Sequence, residues 1–580
     1  MPALPAPSRR AHDGAALVLA LAVLVTGLLL GRAHLVPGYG VENDFAGSYA
    51  PEVANLLAGR PYTYPYHPPG YAALLALLSP LTRDLFLAAK LLAAAAGAGF
   101  VLATYALFHR LFDRRIALAA AALLAATVVP FTFLAAADLL GALAFQLALL
   151  GMLRSERPGA RSALATGLLV AFAFLLRSNG SYLLGAAAVV YLLVNPGREA
   201  WGRRWRLVTF LCAGFALGVS PWLMHNWRTT GRPMPAGSYV QADPAYRPNA
   251  EGAAATPVVG TVKGSGSVAE LVAERPLEFA RRYLGRVLWF NPPKLASAGL
   301  GFPATLFAGA GALLLLAAPT RRRTGYLVAC GMGYLVLGLI YMLVRYYLFL
   351  FPLLALAAAL GAMHPALLTP LARRRLDPVH VGWGIVSLLV GWALVGSLRD
   401  ARAAIGRDPV HLRDAAAWLR ARAQPGTGSG VLVAQPQVPY LAGVPGYQVE
   451  GTTGEEVVRQ ARAVGARWVE YTPAEAARWA PLEALADPAA VPAGLRAAYR
   501  DRHGTVLYEV LPDDRPAQGA RITTSPSTTV RTARPWRNAS PSPPSSAAGS
   551  TSQATRSASK PGTRRPLRST TPPATAAAAE

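Results

Sequence analysis

Apolar stretches close to the ~20 residues that cross a bilayer recur through the first two-thirds of the sequence, with arginine clusters between them. They occupy 15–31, 85–108, 116–136, 138–153, 162–176, 180–194, 207–224, 299–318, 325–344, 346–364 and 380–398, which predicts about eleven transmembrane helices. Only 15% of the residues are charged, against about 25% in soluble domains. A soluble fold is thereby excluded. Arg9 and Arg10 precede the first stretch and no small-residue cleavage site follows it, so it reads as an uncleaved span. The apolar segment 68–81 is short and proline-flanked, which predicts an interfacial or re-entrant helix.

The arginines predict the orientation. Arg9 and Arg10, Arg110 to Arg115, Arg154 to Arg161, Arg203 to Arg206, Arg321 to Arg323 and Arg373 to Arg375 share one side if 68–81 does not cross. Short basic loops stay in the cytoplasm. The extracytoplasmic side then receives loop 32–84, the turns at Asp138, Arg177 and Arg345, loop 225–298 and everything beyond 398. The net charge of +26 follows from these arginines and the basic tail, and no nucleic-acid partner is indicated. Cys212 and Cys330 lie inside apolar stretches, so the sequence indicates neither a disulfide framework nor a metal cluster.

Three parts follow. Residues 1–398 form an all-α polytopic membrane domain. Residues 399–511 form a small extracytoplasmic α/β domain, with helices at 409–423 and 454–464 and strands at 431–435, 467–471 and 506–510. Residues 512–580, rich in Ser, Thr, Pro, Ala and Arg without periodicity, are expected to be a disordered tail.

The spans are nearly free of ionisable groups, whereas ion-coupled transporters keep such groups at mid-bilayer. Here Glu42, Asp44, Asp138, Arg177, His225, Arg228, Lys294 and Arg345 gather at the outer ends. That distribution suits chemistry at the membrane–water boundary. Asp44 reads either as a helix cap or as a carboxylate able to take a proton from an acceptor hydroxyl. A short helix after it is expected to start at Pro51 and end at Gly59. Asp138 opens a span, where an acid caps well. Arg345 reads as a snorkelling anchor or as a phosphate ligand, for which the guanidinium fork is suited. His67, among prolines and tyrosines, reads as a stacking or hydrogen-bonding group rather than a metal ligand.

Four stretches carry a resemblance. They are Asp44 followed by Tyr49, Ala54, Leu57 and Gly59; "YHPPGYAALLALLSPL" running on through "LAAKLLAAAAGAGFVLATYALFHRLFDRRIALAAAALLA"; "PWLMHNWRTTGRP" at 221–233; and "RYYLFLFPLLALAAA" from Arg345. In order and in membrane side they resemble the GT-C superfamily of membrane glycosyltransferases, in particular the bacterial protein O-mannosyltransferases and the lipid A aminoarabinose transferase. Pro51 and His225 depart from that pattern. The resemblance implies a sugar passed, with inversion, from a polyprenyl phosphate in the outer leaflet to a glycan, lipid or protein acceptor. It implies Asp44 as the catalytic carboxylate and Arg345 as a phosphate clamp, with Asp138 ordering the same cavity. Glu42, Tyr49, His67, Arg177, Asn226 and Lys294 complete the expected substrate-binding set. No cofactor is indicated, since the lipid-linked sugar is a substrate, and the sequence leaves a divalent metal open. A transporter or lipid flippase and a non-catalytic membrane scaffold are the alternatives.

Overall fold

The computed structural model describes residues 9–64, 67–154, 158–194, 201–231, 233, 272–273, 275–339, 343–364, 377–423, 430–449, 453–476, 482, 485–487 and 491–512. By internal contacts the chain divides into Met1–Ala539 and Ser540–Glu580. The second unit, and with it most of the predicted tail, lies outside the described residues.

Every predicted span stretch contains a helix. In chain order these are α1 (Arg9–Ala33), α2 (Ala50–Leu57), α3 (Gly70–Thr82), α4 (Leu85–Leu111), α5 (Arg114–Thr127), α6 (Asp138–Leu153), α7 (Ala160–Leu176), α8 (Tyr182–Val189), α9 (Trp201–Thr230), α10 (Pro276–Gly285), α11 (Asn291–Leu300), α12 (Phe302–Ala317), α13 (Arg321–Leu337), α14 (Phe351–Met363) and α15 (Pro378–Ile405). Among the described residues five helical segments are long and apolar enough to cross a membrane: Arg10–Ala33, Leu85–Leu111, Trp201–Thr229, Val344–Met363 and Pro378–Ile405. The helix before Gly301 and α12 meet at a 117° bend, at a glycine with φ of 72°. The chain is a multi-pass membrane protein.

The helices approach closely where glycines face each other. A Cβ on Gly311 would come within 1.7 Å of the Ala357 carbonyl oxygen, and one on Gly361 within 2.0 Å of that of Phe307. α12 and α14 can therefore touch backbone to backbone, the usual way small residues pack helices in lipid.

Two local expectations are corrected. The span expected over 116–136 stops as an α-helix at Thr127, and a 3₁₀ turn, Val129–Phe131, follows. Pro130 cannot donate to a carbonyl one turn back. The loop that follows is left free to reach Glu42, whose carboxylate accepts from Ala135 N–H. The first-loop helix does not start at Pro51. A wide π turn, Phe45–Tyr49, leads directly into α2, and the Ala50 N–H bonds back to Phe45 O. The wide turn accommodates Pro51, which has no N–H to offer. Gly59, with φ of 66°, lies just beyond α2 and ends it as expected; Arg60 N–H closes on Asn55 O at 2.8 Å.

Beyond α15 the chain folds into an α/β domain. Helices α16 (Leu412–Arg422), α17 (Gln437–Ala442), α18 (Gly454–Ala463) and α19 (Pro473–Ala476) accompany strands β1 (Gly430–Val433), β2 (Gly446–Gln448), β3 (Ala466–Tyr471), β4 (Leu495–Arg500) and β5 (Val506–Val510). The sheet order is β2-β1-β3-β5-β4. β1 is parallel to β2 and β3, whereas β5 is antiparallel to β3 and β4. Side chains alternate across it. Val431, Val433, Trp468 and Leu507 join one core with α16 and α17; Leu432, Val469 and Tyr508 join the other with α18. β2, β4 and α17 are additions to the expected elements.

Candidate functional site

Four of the residues expected at the outer ends, Asp44, Asp138, Arg177 and Arg345, come together in one cluster. On the basic side, Arg114 meets Asp13 at 3.7 Å and Arg323 donates to Leu111 O at 3.1 Å.

Asp44 precedes the π turn with helical backbone angles and makes no side-chain cap bond. Its carboxylate is therefore free to face the cluster. Arg345 heads the 3₁₀ turn Val344–Leu350 that leads into α14. Its guanidinium lies 3.6 Å from the Asp44 carboxylate and 3.8 Å from that of Asp138, and donates to Val41 O at 2.8 Å. Asp138 is the first residue of α6, with Ala137 in the cap position. The positive end of the helix dipole favours its charge there. Arg177, in extended conformation just past α7, pairs with Asp138 at 2.7 Å. The Tyr346 ring faces both guanidiniums, 4.9 Å from Arg177 and 5.2 Å from Arg345.

His67 completes the group. It lies 3.8 Å from Asp44, a charge contact longer than a hydrogen bond. Tyr49 and Tyr64 stack on its ring at 5.0 and 5.2 Å. Tyr62 donates to His67 O at 2.8 Å, and Glu52 on α2 accepts from both Thr63 N–H and hydroxyl at 2.9 and 2.7 Å. The proline-rich run is thereby folded back onto the first-loop helix. Burial alone pushes the Asp44 carboxyl up; the neighbouring His67, Arg345 and Arg177 outweigh it and hold it well below the usual carboxylate range. Asp44 is an ionised, cation-flanked carboxylate.

Behind it lies a cavity with an empty volume of about 370 Å³, open mouth included. Asp138, Arg177 and Arg345 line its polar side; Phe145, Tyr182 and Phe349 line its apolar side. Cations and apolar side chains lining one cavity suit an amphiphilic anion.

Three expected site residues stand apart. Glu42 is buried and its carboxylate is taken up by the His34 ring at 2.8 Å and the Gly38 and Ala135 N–H groups. It holds the loop beside Asp44 rather than facing the cavity. Asn226 is buried and donates to Pro233 O at 3.3 Å. Lys294 is exposed, over the Phe290 ring at 3.6 Å. His225 donates to Tyr62 O at 2.6 Å and so braces the tyrosine run. Tyr64, Tyr346, His34 and Asp408 are additions. Tyr346 neighbours Arg345 in sequence, but no local pattern marks His34 or Asp408. Among the described residues no group of three or more His, Cys, Asp or Glu is placed to hold a metal ion.

The family model for dolichyl-phosphate-mannose-protein mannosyltransferases matches residues 66–225. No curated protein matches the chain in sequence. The fold is similar to that of ArnT from Cupriavidus metallidurans. The structure of ArnT bound to undecaprenyl phosphate matches with a TM-score of 0.53 at 15% identity, over 85% of this chain and 97% of that one. Its apo structure matches with the same TM-score at 14% identity, over the same shares. With this fold over most of its length, and a family-model match running from beside His67 to His225, the chain resembles the GT-C superfamily of membrane glycosyltransferases.

Proposed function

We propose that the protein is an integral membrane glycosyltransferase that moves a sugar from a polyprenyl-phosphate donor to an acceptor on the extracytoplasmic side, with inversion. The membrane domain is read as about eleven spans, with a cytoplasmic N-terminus and the α/β domain outside. One observation carries the reading: a carboxylate and two guanidiniums, Asp44, Arg345 and Arg177, share a single cluster, and the two guanidiniums line a cavity with apolar side chains on its other side.

The chemistry follows from that arrangement. The acceptor's nucleophile attacks the anomeric carbon as the bond to the phosphate oxygen breaks, and positive charge builds on the sugar. The bonding pair leaves with the phosphate. Arg345 and Arg177 are fixed cations where that negative charge grows, so the leaving group needs no proton. Asp44 orients the nucleophile and receives its proton. Asp138 keeps both guanidiniums aimed. An incoming phosphate draws Arg345 charge away from Asp44 and raises its basicity when the donor is in place. ArnT is bound to undecaprenyl phosphate in its own structure; a lipid phosphate of that class is the donor proposed here.

The test incubates purified, reconstituted protein with polyprenyl-phosphate hexoses and pentoses, alongside lipid-linked glycan profiling of a deletion strain. Consumption of one donor in vitro, and accumulation of the same donor in the strain, are expected. Absence of both overturns the reading.

A further inference from the structure

The residues on either side of Asp44 are both held by one short segment of the α/β domain. Asn43 donates its side-chain amide to the Gln435 side chain. The Gln437 amide donates to Asn43 Oδ1 at 2.9 Å and to Gly38 O at 3.1 Å. On the other side the Phe45 ring packs edge-to-face on Tyr440, centroids 5.3 Å apart. Gln437 is fully buried and Asn43 is half-buried. Gln435 lies two residues past the end of β1, and Gln437 and Tyr440 lie on α17.

A second tether joins the same two parts. Asp408, after α15, accepts from His34 Nδ1 at 2.8 Å and from Leu35 N–H at 3.1 Å. Arg413 donates to Leu35 O at 2.8 Å. That tether fixes the start of the loop, and the Gln435–Tyr440 segment fixes its end, next to Asp44.

We propose that the segment Gln435–Tyr440 positions the Asp44 carboxylate for transfer, with Gln437 and Tyr440 as positioning residues. The proposal rests on the glycosyltransferase reading above. Asp44 has no cap bond of its own to hold it, and its distance to Arg345 depends on where the backbone of residues 43–45 lies. A misplacement of about 1 Å at a reacting group is enough to cost ~10²-fold in rate. The α/β domain is thus a part of the site rather than an appended module.

The test uses the full chain in nanodiscs. Gln437→Glu keeps the side chain's shape and removes both donated bonds. Hydrogen exchange over residues 36–49, read without any substrate, should rise at least threefold while exchange over 430–433 and 466–471 stays at the parental rate. In turnover with a polyprenyl-phosphate sugar, kcat should fall about tenfold with the donor KM changed less than twofold. Asn43→Ala and Gln437→Ala should be non-additive in kcat, because they share the Gln437–Asn43 hydrogen bond. Parental exchange over 36–49 in Gln437→Glu overturns the proposal, as do additive effects in the pair or a loss of activity matched by loss of folded protein. If the parent transfers no sugar at all, the glycosyltransferase reading fails by itself, and the proposed role in catalysis fails with it; hydrogen exchange then reports only the contact.

Discussion

Arg345 and Asp44 face each other at 3.6 Å with Asp138 on the far side of the same guanidinium at 3.8 Å. One cation thus bridges the acid of the first outer loop and the acid that opens α6. Arg345 is charged and buried, and a cation in that setting is stable only while its counter-charges stay close. The pairing is both a structural staple and the feature that a donor phosphate would enter.

Asp44→Asn removes the base and keeps the shape. Turnover of the purified variant should fall about 10²- to 10⁴-fold. Its melting temperature should fall as well, because the change takes a counter-charge from buried Arg345, so turnover is compared per folded protein. Near-parental turnover would move the base elsewhere.

Asp138→Ala leaves the half-buried Arg177 and the buried Arg345 short of a partner. Breaking a buried pair in this way costs about 3–5 kcal/mol. The variant should melt well below the parent, and the double change Asp138→Ala with Arg177→Met should recover part of the loss. Equal melting of parent and single variant would show that the cluster contributes nothing to stability.

The α/β domain and its dock should loosen as pH rises. Both ring nitrogens of His34 face carboxylates, Glu42 and Asp408, so both donate and the ring carries a proton. Burial opposes that charge, but the hydrogen bonds and charges of Asp408 and Glu42 prevail and raise its pKa from 6.5 to about 9. A raised histidine stabilises fully below 6.5 and loses its contribution as pH passes through about 9. Within the domain, burial lifts Glu475 from 4.5 to about 8 and pushes its neighbour Glu470 up as well. The folded state keeps those protons after the unfolded state has lost them, so stability falls between 4.5 and about 8. Melting followed from pH 5 to 9.5 should therefore decline across both windows. Glu475→Gln should flatten the lower one and His34→Gln the upper one. A melting temperature that rises over this range contradicts the assignment.

Orientation is open to a direct measurement. Export-dependent reporters fused after Pro512, beyond the last strand, should be active, and a reporter that works only in the cytoplasm should be silent there. The reverse result would place the Asp44 cluster on the cytoplasmic face.

Hydropathy and arginine placement are properties of short windows, and they determined by themselves that this chain enters a membrane and that each apolar stretch holds a helix, but not the helices Pro276–Gly285 and Asn291–Leu300, which begin inside the segment read as a long outer loop. They also assigned Asp44, His67, Asp138, Arg177 and Arg345 to loops on a common side, because each is polar at the end of an apolar run. Only the tertiary structure decided that these five share one cluster, since pairing across different helices depends on packing and not on sequence spacing. It also turned Glu42 away from the cavity: the chain after Pro130 brings the Ala135 amide to that carboxylate, an encounter between residues 42 and 135 with no local signature. The first-loop helix runs on from a wide turn instead of starting at Pro51, because such a turn tolerates proline, is rare and leaves no mark in periodicity. His34 with Asp408, and Asn43 with Gln437, were beyond reach for the same reason. Each is an unremarkable polar residue in its own segment. Its role exists only once the α/β domain has closed on the loop, where burial makes a single unpaired polar group expensive and so fixes which partners must meet.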